Sequence, residues 1–158
     1  MKILKLLEES QQFSKLPNFI SEKNRPFISG VEGSFIPYLI AYLFTSIKKP
    51  FLVILPEEES SEIFYRDILN FVSEKNVFLL PSPEFFTKTE NIVSEIMFER
   101  VKTLFSISLA KTPFILVSQP VSLAKKVRPL KNFSEKFLDI RTKANIRRDT
   151  LIQYLFDS

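Results

Sequence analysis

The sequence predicts an α/β fold with a parallel sheet and helices on both of its faces, and three observations support this class. Short apolar runs that end at Pro or polar residues alternate with segments of helical period. The runs are apolar at nearly every position, as in strands that are covered on both faces. Their order of strand, helix, strand, helix, strand favours a doubly wound sheet with right-handed crossovers. With 158 residues, 45% of them apolar, the chain has enough bulk for a core.

The first elements are two helices and a short strand. An amphipathic helix is expected at about 2–14, and a short strand at Phe27-Ile28-Ser29. From Ile36 to Ile47, apolar residues recur at i, i+3, i+4, i+7, i+8 and i+11, which is the stripe of a helix packed on a core. Pro37 is tolerated in the first turn of this helix, and Pro50 ends it.

Three strands and two helices are expected after residue 50. The run Phe51-Leu52-Val53-Ile54-Leu55 is apolar at every position, so we expect a strand buried on both faces. Acidic residues at 57–59 begin a helix. A strand at 77–80, a long helix near 90–110 and a strand at 114–118 complete the pattern. The buried face of the first of these helices is expected to consist of Ile63, Phe64, Ile68, Leu69 and Val72.

Both glycines of the chain lie in the loop before the helix at 36–47, at Gly30 and Gly33. A phosphate-binding loop has the pattern G-x-x-x-x-G-K-[ST]: glycines let backbone amides face the phosphates, the Lys neutralises them, and the hydroxyl binds Mg²⁺. Aligned on Gly30, the last three positions hold Phe35, Ile36 and Pro37, which offer no glycine, no charge and no hydroxyl. The segment is therefore interpreted as a degenerate phosphate-binding loop, and a plain strand-to-helix turn is the alternative.

The residue types present exclude several kinds of site. The chain has no Cys and no His, which excludes thiol nucleophiles, disulfides, Cys/His zinc sites and Ser-His-Asp chemistry. An active nucleotide hydrolase needs an Asp at a strand end to hold its metal. The acid nearest to such an end, Glu57, fits the start of a helix better. We therefore predict no catalytic, cofactor-binding or metal-binding residue in this chain.

Positive charge is concentrated in the last third of the chain. Residues 1–110 carry 12 Lys and Arg against 14 Asp and Glu, whereas residues 111–158 carry 10 against 4. One interpretation is a contact surface for DNA or an acidic partner, and the other is the solvated face of a second domain. No aromatic interleaving or base-reading motif accompanies the charge, which favours the second. Seven of these ten basic residues are Lys125, Lys126, Arg128, Lys131, Lys143, Arg147 and Arg148.

A domain boundary is expected at residue 131. A strand at 136–141, in which Leu138 and Ile140 alternate with polar residues, precedes a helix that carries Leu151 and Leu155 and has no Gly or Asn cap. One strand and one helix do not bury a core of their own. We expect a first domain at 1–131 and, at 132–158, the beginning of a small α+β domain whose remainder lies outside the chain.

The order and spacing of five blocks resemble the N-terminal module of the bacterial transcription-repair coupling factor, Mfd. That module is itself similar to the excision-repair protein UvrB, which keeps the complete loop G-V-T-G-S-G-K-T. The coupling factors have lost the Lys and the hydroxyl, as this chain has, so the resemblance favours them over UvrB. It covers nearly the whole chain from about Arg25. The blocks are Gly30-Val31-Glu32-Gly33-Ser34, Pro50-Phe51-Leu52-Val53-Ile54-Leu55-Pro56, Phe78-Leu79-Leu80-Pro81, Glu99-Arg100-Val101-Lys102-Thr103-Leu104 and Ile146-Arg147-Arg148-Asp149-Thr150-Leu151.

The resemblance implies a P-loop-NTPase-like three-layer fold that binds no nucleotide. The full-length family displaces stalled RNA polymerase by ATP- and Mg²⁺-dependent translocation on DNA, through distant motor domains, and recruits UvrA. This segment would be a non-catalytic scaffold and interaction module without a cofactor of its own. The domain that begins at residue 132 would be of the UvrA-binding type, with most of its contact surface outside this chain.

Two alternatives stay open at this point. One is an active nucleotide-binding fragment similar to UvrB or a helicase, which predicts ATP binding with Mg²⁺. The other is a basic nucleic-acid-binding domain unrelated to repair, which predicts salt-dependent DNA affinity. No signal-peptide pattern precedes Glu8-Glu9, and no apolar run approaches the roughly 20 residues of a membrane span. A cytoplasmic location without membrane contact is the expectation.

Overall fold

A computed structural model describes residues 5–22, 25–82, 90–124 and 147–157. Within them the chain is a mixed α/β protein with a three-stranded parallel sheet flanked by helices. Its contacts divide the chain into two compact units, Met1–Lys125 and Lys126–Ser158. The expected boundary at residue 131 and the expected strand at 136–141 lie outside the described residues, as do Lys125, Lys126, Arg128, Lys131 and Lys143.

The helices and strands expected between residues 36 and 118 are all present. The described part of the second unit is helix α7 (Arg148–Asp157). In chain order, the described elements of the first unit are α1 (Lys5–Glu9), α2 (Leu16–Ser21), α3 (Phe35–Ile47), β1 (Phe51–Ile54), α4 (Glu58–Ile68), a 3-10 turn (Glu74–Asn76), β2 (Val77–Leu79), α5 (Glu90–Leu109), β3 (Ile115–Ser118) and α6 (Pro120–Ala124).

The sheet has the strand order β1-β3-β2, and both neighbouring pairs are parallel. Ile115 at the start of the central strand aligns with Phe51 of β1 and with Val77 of β2. Helix α4 connects β1 to β2, and α5 connects β2 to β3, as parallel neighbours require. The predicted parallel sheet with helical crossovers is thereby confirmed.

The main core lies where α3 and α4 pack on one face of the sheet. Ile115 and Val117 of β3 are fully buried at its centre. Each such side chain contributes about 1.5–3 kcal/mol relative to leaving it in water. This core holds the middle of α3 against the sheet. The remaining buried members are Ala41, Phe44, Phe64, Ile68, Val72 and Val77.

A second cluster joins the N-terminal helices to α3, and here the sequence expectation was wrong in detail. Of the helix expected at about 2–14, the described residues form a helix at Lys5–Glu9 and turns at 11–15, and a second helix that was not expected follows at Leu16–Ser21. Pro17 lies in the first turn of α2, where a missing donor is tolerated, and so favours a new helix start. The buried residues of this cluster are Leu7, Leu39, Tyr42 and Leu43.

The strand expected at Phe27-Ile28-Ser29 is also wrong. This segment belongs to no strand of the described sheet, and the side chain of Phe27 is 93% exposed. A strand is stabilised by its hydrogen-bonded and side-chain pairs with a neighbour, and none of β1, β2 and β3 pairs with these residues. The β-propensity of Phe27 and Ile28 alone was therefore not enough to form a strand.

Burial of β1 on both faces, as expected from its apolar sequence, is not observed. Phe51 and Val53 face the core, whereas Leu52 is 53% exposed and Ile54 is 52% exposed. The reason is that successive side chains of a strand point to opposite faces, and among the described elements the core with α3 covers the face that carries Phe51 and Val53. Ile63, expected on the buried face of α4, is likewise 45% exposed.

Candidate functional site

The loop before α3 is a tight turn built on the two glycines. Gly30 has a φ of +75° and Gly33 a φ of +56°, values in the left-handed region that favours glycine. A Cβ atom added at either position would meet no atom within 4 Å, so backbone conformation and not lack of space requires glycine here. The turn itself therefore accounts for both residues.

The first backbone amides of α3 are engaged inside this loop. The N–H of Phe35 donates to the carbonyl oxygen of Glu32 at 3.3 Å, and the N–H of Ile36 donates to that of Gly33 at 3.1 Å. Phosphate at a helix N-terminus is bound by such amides. These two donors already have partners within the turn.

The positions aligned with the phosphate-binding residues are occupied by packing residues. The ring of Phe35 lies with its centroid 5.7 Å from that of Phe13 and 5.7 Å from that of Tyr38. Pro37 is buried in the first turn of α3. Ile36 is 37% exposed and faces a groove. Phe35 and Pro37 thus pack α3 against its surroundings, and Ile36 lines the groove.

This groove, here called the α3–α4 groove, has a volume of about 310 Å³. The hydroxyl of Ser34 donates a long hydrogen bond, 3.4 Å, to Oδ2 of Asp67 and so links the loop to α4. A carboxylate beside an apolar wall repels a polyphosphate, because no described cation among the lining residues offsets its charge. The lining residues are Gly33, Ser34, Ile36, Pro37, Leu55, Ser60, Ile63, Phe64 and Asp67.

A second groove, of about 550 Å³, borders the loop on the side of the N-terminal helices. Its walls are mainly apolar and include Phe13, Leu16, Phe27 and Phe35. Among the described residues that line it there is again no Lys or Arg. The loop therefore lies between two grooves whose described linings carry no positive charge.

Polar residues follow the carboxyl end of β1 and form that of β3. Glu57 begins α4: its N–H donates to Ser60 Oγ at 3.3 Å, and its carbonyl accepts the hydroxyls of Ser60 and Ser61 at 2.8 and 2.9 Å. This is the role expected for Glu57 at a helix start. β3 ends in Ser118, followed by Gln119, and both are buried.

The buried guanidinium of Arg100 is a feature that the sequence analysis missed. Arg100 lies in α5, is 4% exposed, and donates to the carbonyl oxygens of Pro81 and, at 3.1 Å, Ser122. Loss of solvent lowers its pKa. Because no described carboxylate pairs with it, Arg100 joins α5 to the end of β2 and to α6 through carbonyl groups.

The sequence did hold a signal for this contact. Arg100 and Thr103 are three residues apart and therefore lie on one face of α5. Thr103 Oγ1 donates to the carbonyl oxygen of Leu79 at 3.0 Å, so both polar side chains meet the end of β2. The spacing of Arg100 and Thr103 is thus the sequence feature that corresponds to this contact.

The described ranges 5–22, 25–82, 90–124 and 147–157 contain no group of three or more Asp and Glu side chains placed to hold a metal ion. In the same ranges, none of the helices combines the length and apolarity needed to cross a membrane. Arg147 and Arg148, the described members of the basic set, are exposed at the start of α7.

Comparison of the chain with protein-family models, with curated proteins and with solved structures finds no significant match.

Proposed function

We propose that this chain is a non-catalytic scaffold and interaction module with a P-loop-like fold, of the kind that begins the transcription-repair coupling factors. The observation that carries the proposal is the loop from Gly30 to Pro37. It keeps the glycine turn before a helix, while Phe35, Ile36 and Pro37 stand where a nucleotide hydrolase has its Gly, Lys and hydroxyl. The sequence blocks that resemble the family support the assignment to repair.

In this proposal the parent protein acts in transcription-coupled nucleotide excision repair. It releases stalled RNA polymerase and recruits UvrA, while ATP and Mg²⁺ serve a distant motor that moves on DNA. The segment described here contributes a stable sheet and surfaces for contact with other domains or proteins. The apolar core around Ile115 and Val117 supports such a structural role.

Titration of the 158-residue chain with a fluorescent ATP analogue and Mg²⁺ tests the non-catalytic part. We expect no saturable binding at micromolar concentrations, because the loop has no Lys and its first helical amides are already bonded. A protein with the complete G-x-x-x-x-G-K-[ST] loop serves as the positive control. Saturable micromolar binding by this chain would instead favour the alternative similar to UvrB or a helicase.

The genomic sequence downstream of codon 158 tests the family assignment. We expect a continuing reading frame that encodes helicase motifs, because the motor of this family is distant from its N-terminal module. A frame that closes there, or one that continues without such motifs, would contradict the assignment.

The exposed Arg147 and Arg148 justify a direct test of nucleic-acid binding. DNA affinity is measured at two salt concentrations for the wild type and for a variant with Lys125, Lys126, Arg147 and Arg148 changed to Gln. Under our proposal, binding is weak in both proteins. Tight, steeply salt-dependent binding that the four changes abolish would favour the nucleic-acid-binding alternative.

A further inference from the structure

We propose that the α3–α4 groove is a docking site for a basic protein segment that inserts an apolar side chain. This goes beyond the scaffold role, because it names one surface and the chemistry of its partner. It rests on the groove and its charges, and it stands whether or not the chain belongs to a repair factor.

The apolar part of the site is formed by side chains that face each other across the groove. Ile36 at the start of α3 is 37% exposed, and Ile63 of α4 is 45% exposed. Ile63 is exposed because Phe64 and Ile68 direct the buried face of α4 at the sheet, and a neighbouring residue is rotated by about 100° around the helix. The groove thus offers apolar walls to a side chain from outside.

One carboxylate lines this apolar groove, and two more flank lining residues in the sequence. Asp67 lines it, Glu59 lies one helical turn before Ile63, and Glu32 precedes Gly33 in the loop. None of the three has an ion-pair partner among the described residues, where the pair observed is Lys102 with Glu99. Arg66, which is exposed, is the cation nearest to them on α4 in sequence. Three acids against one base give the rim a negative charge.

Charge complementarity then selects the occupant. A negative rim attracts a segment that carries Lys or Arg and repels nucleic acid and phosphate. An apolar centre within a charged rim is the usual anatomy of a protein contact, in which a buried anchor side chain supplies affinity and the rim supplies selectivity. A basic peptide with an exposed Leu, Ile or Phe side chain satisfies both parts of the groove.

The test uses the whole 158-residue chain and two labelled peptides of equal length, one of Leu and Lys and one of Leu and Glu. We expect the Leu/Lys peptide to bind saturably and to weaken with added NaCl, and the Leu/Glu peptide not to bind. Asp67→Lys, Glu59→Lys and Ile63→Ser should each weaken binding by about fivefold or more. All three side chains are at least partly exposed, so folding, checked by circular dichroism, should be retained.

Matched control variants lie away from the groove. Glu22→Lys reverses an exposed acid after α2, and Val121→Ser removes a 43% exposed apolar side chain of α6. Both should leave the affinity for the Leu/Lys peptide within about twofold of the wild type. Amide chemical shifts that change on peptide addition should include those of Ser34, Ser60 and Ile63.

Three results would overturn the proposal. These are equal binding of the Leu/Glu peptide, equal losses in the control and the groove variants, and shift changes that avoid the groove. A chain that sediments as a dimer and becomes monomeric on Asp67→Lys would overturn it too, because the occupant would then be a second copy. The ATP titration has no bearing on these outcomes, so the two proposals can fail independently.

Discussion

Replacement of Arg100 tests whether the buried guanidinium holds the carboxyl end of β2 against α5 and α6. Its side chain is 4% exposed and donates to the carbonyl oxygens of Pro81 and Ser122. In Arg100→Ala both carbonyls lose their charged donor, and a cavity remains at the site. Arg100→Met keeps much of the volume and removes the hydrogen bonds alone.

The expected cost follows from these contacts. A hydrogen bond to a charged group contributes about 1.5–3 kcal/mol, so two such bonds contribute roughly 3–6 kcal/mol. Burying the guanidinium costs several kcal/mol, and a variant without the charge avoids this cost, which offsets part of that sum. We expect Arg100→Ala to lower the free energy of unfolding by about 3 kcal/mol, and Arg100→Met by about 1–2 kcal/mol because it leaves a smaller cavity.

Urea unfolding followed by far-UV circular dichroism measures both losses, and it suits a chain that has no Trp. Lys102→Met is the matched control on the same helix: its ammonium pairs with Glu99 at 3.1 Å on the surface, and its loss should cost less than about 0.5 kcal/mol. If Arg100→Ala is no more destabilising than Lys102→Met, the guanidinium does not stabilise the sheet and the reasoning is refuted.

Three further predictions concern the core, a buried tyrosine and the loop. Ile115→Ala should cost about 2–4 kcal/mol and Leu52→Ala less than about 1 kcal/mol in urea unfolding, because Ile115 is fully buried and Leu52 is 53% exposed; equal costs would contradict the described sheet. Burial, and then the charge of Glu8, raises the pKa of Tyr42 above 10.0, so the unfolded chain loses this proton first. The stabilisation of the folded chain by this pKa shift is complete below pH 10, and the free energy of unfolding should fall as pH rises above it. Tyr42→Phe should reduce that fall, and an unchanged dependence of the free energy of unfolding on pH would count against a raised pKa of Tyr42. The triple variant Phe35→Gly, Ile36→Lys and Pro37→Thr should not hydrolyse ATP, because no strand-end Asp is available for the metal. A phosphate-release assay measures this, and detectable hydrolysis would show the prediction wrong.

The elements between residues 36 and 118 could be predicted because each depends on local pattern. The stripe from Ile36 to Ile47 and the apolar run at Phe51 identify a helix and a strand without knowledge of their neighbours. Exposure could not be predicted in the same way. Leu52 and Ile63 are apolar and lie in correctly predicted elements, but their burial depends on which other element covers them.

The candidate site was predictable to the same extent. The residue types at Ile36 and Pro37 already show that these positions offer neither a positive charge nor a hydroxyl. The hydrogen bond from Ser34 to Asp67 joins residues 33 positions apart, and that from Arg100 to Pro81 joins residues 19 apart. Contacts over such separations follow from the tertiary fold, so the acid beside the loop and the buried guanidinium became evident from the structure.

Among the described strands, one side of β1 has no partner, and this has a consequence for handling the protein in the laboratory. β1 bonds to β3, among the described strands, through Phe51 and Leu55, so the intervening Leu52 and Ile54 direct their N–H and C=O groups outward. No charge or proline interrupts this four-residue strand, and charges and prolines are two of the devices by which natural sheets avoid pairing edge to edge. Concentrated samples should therefore form thioflavin-positive fibrils on storage, and Leu52→Lys is the smallest change expected to delay them.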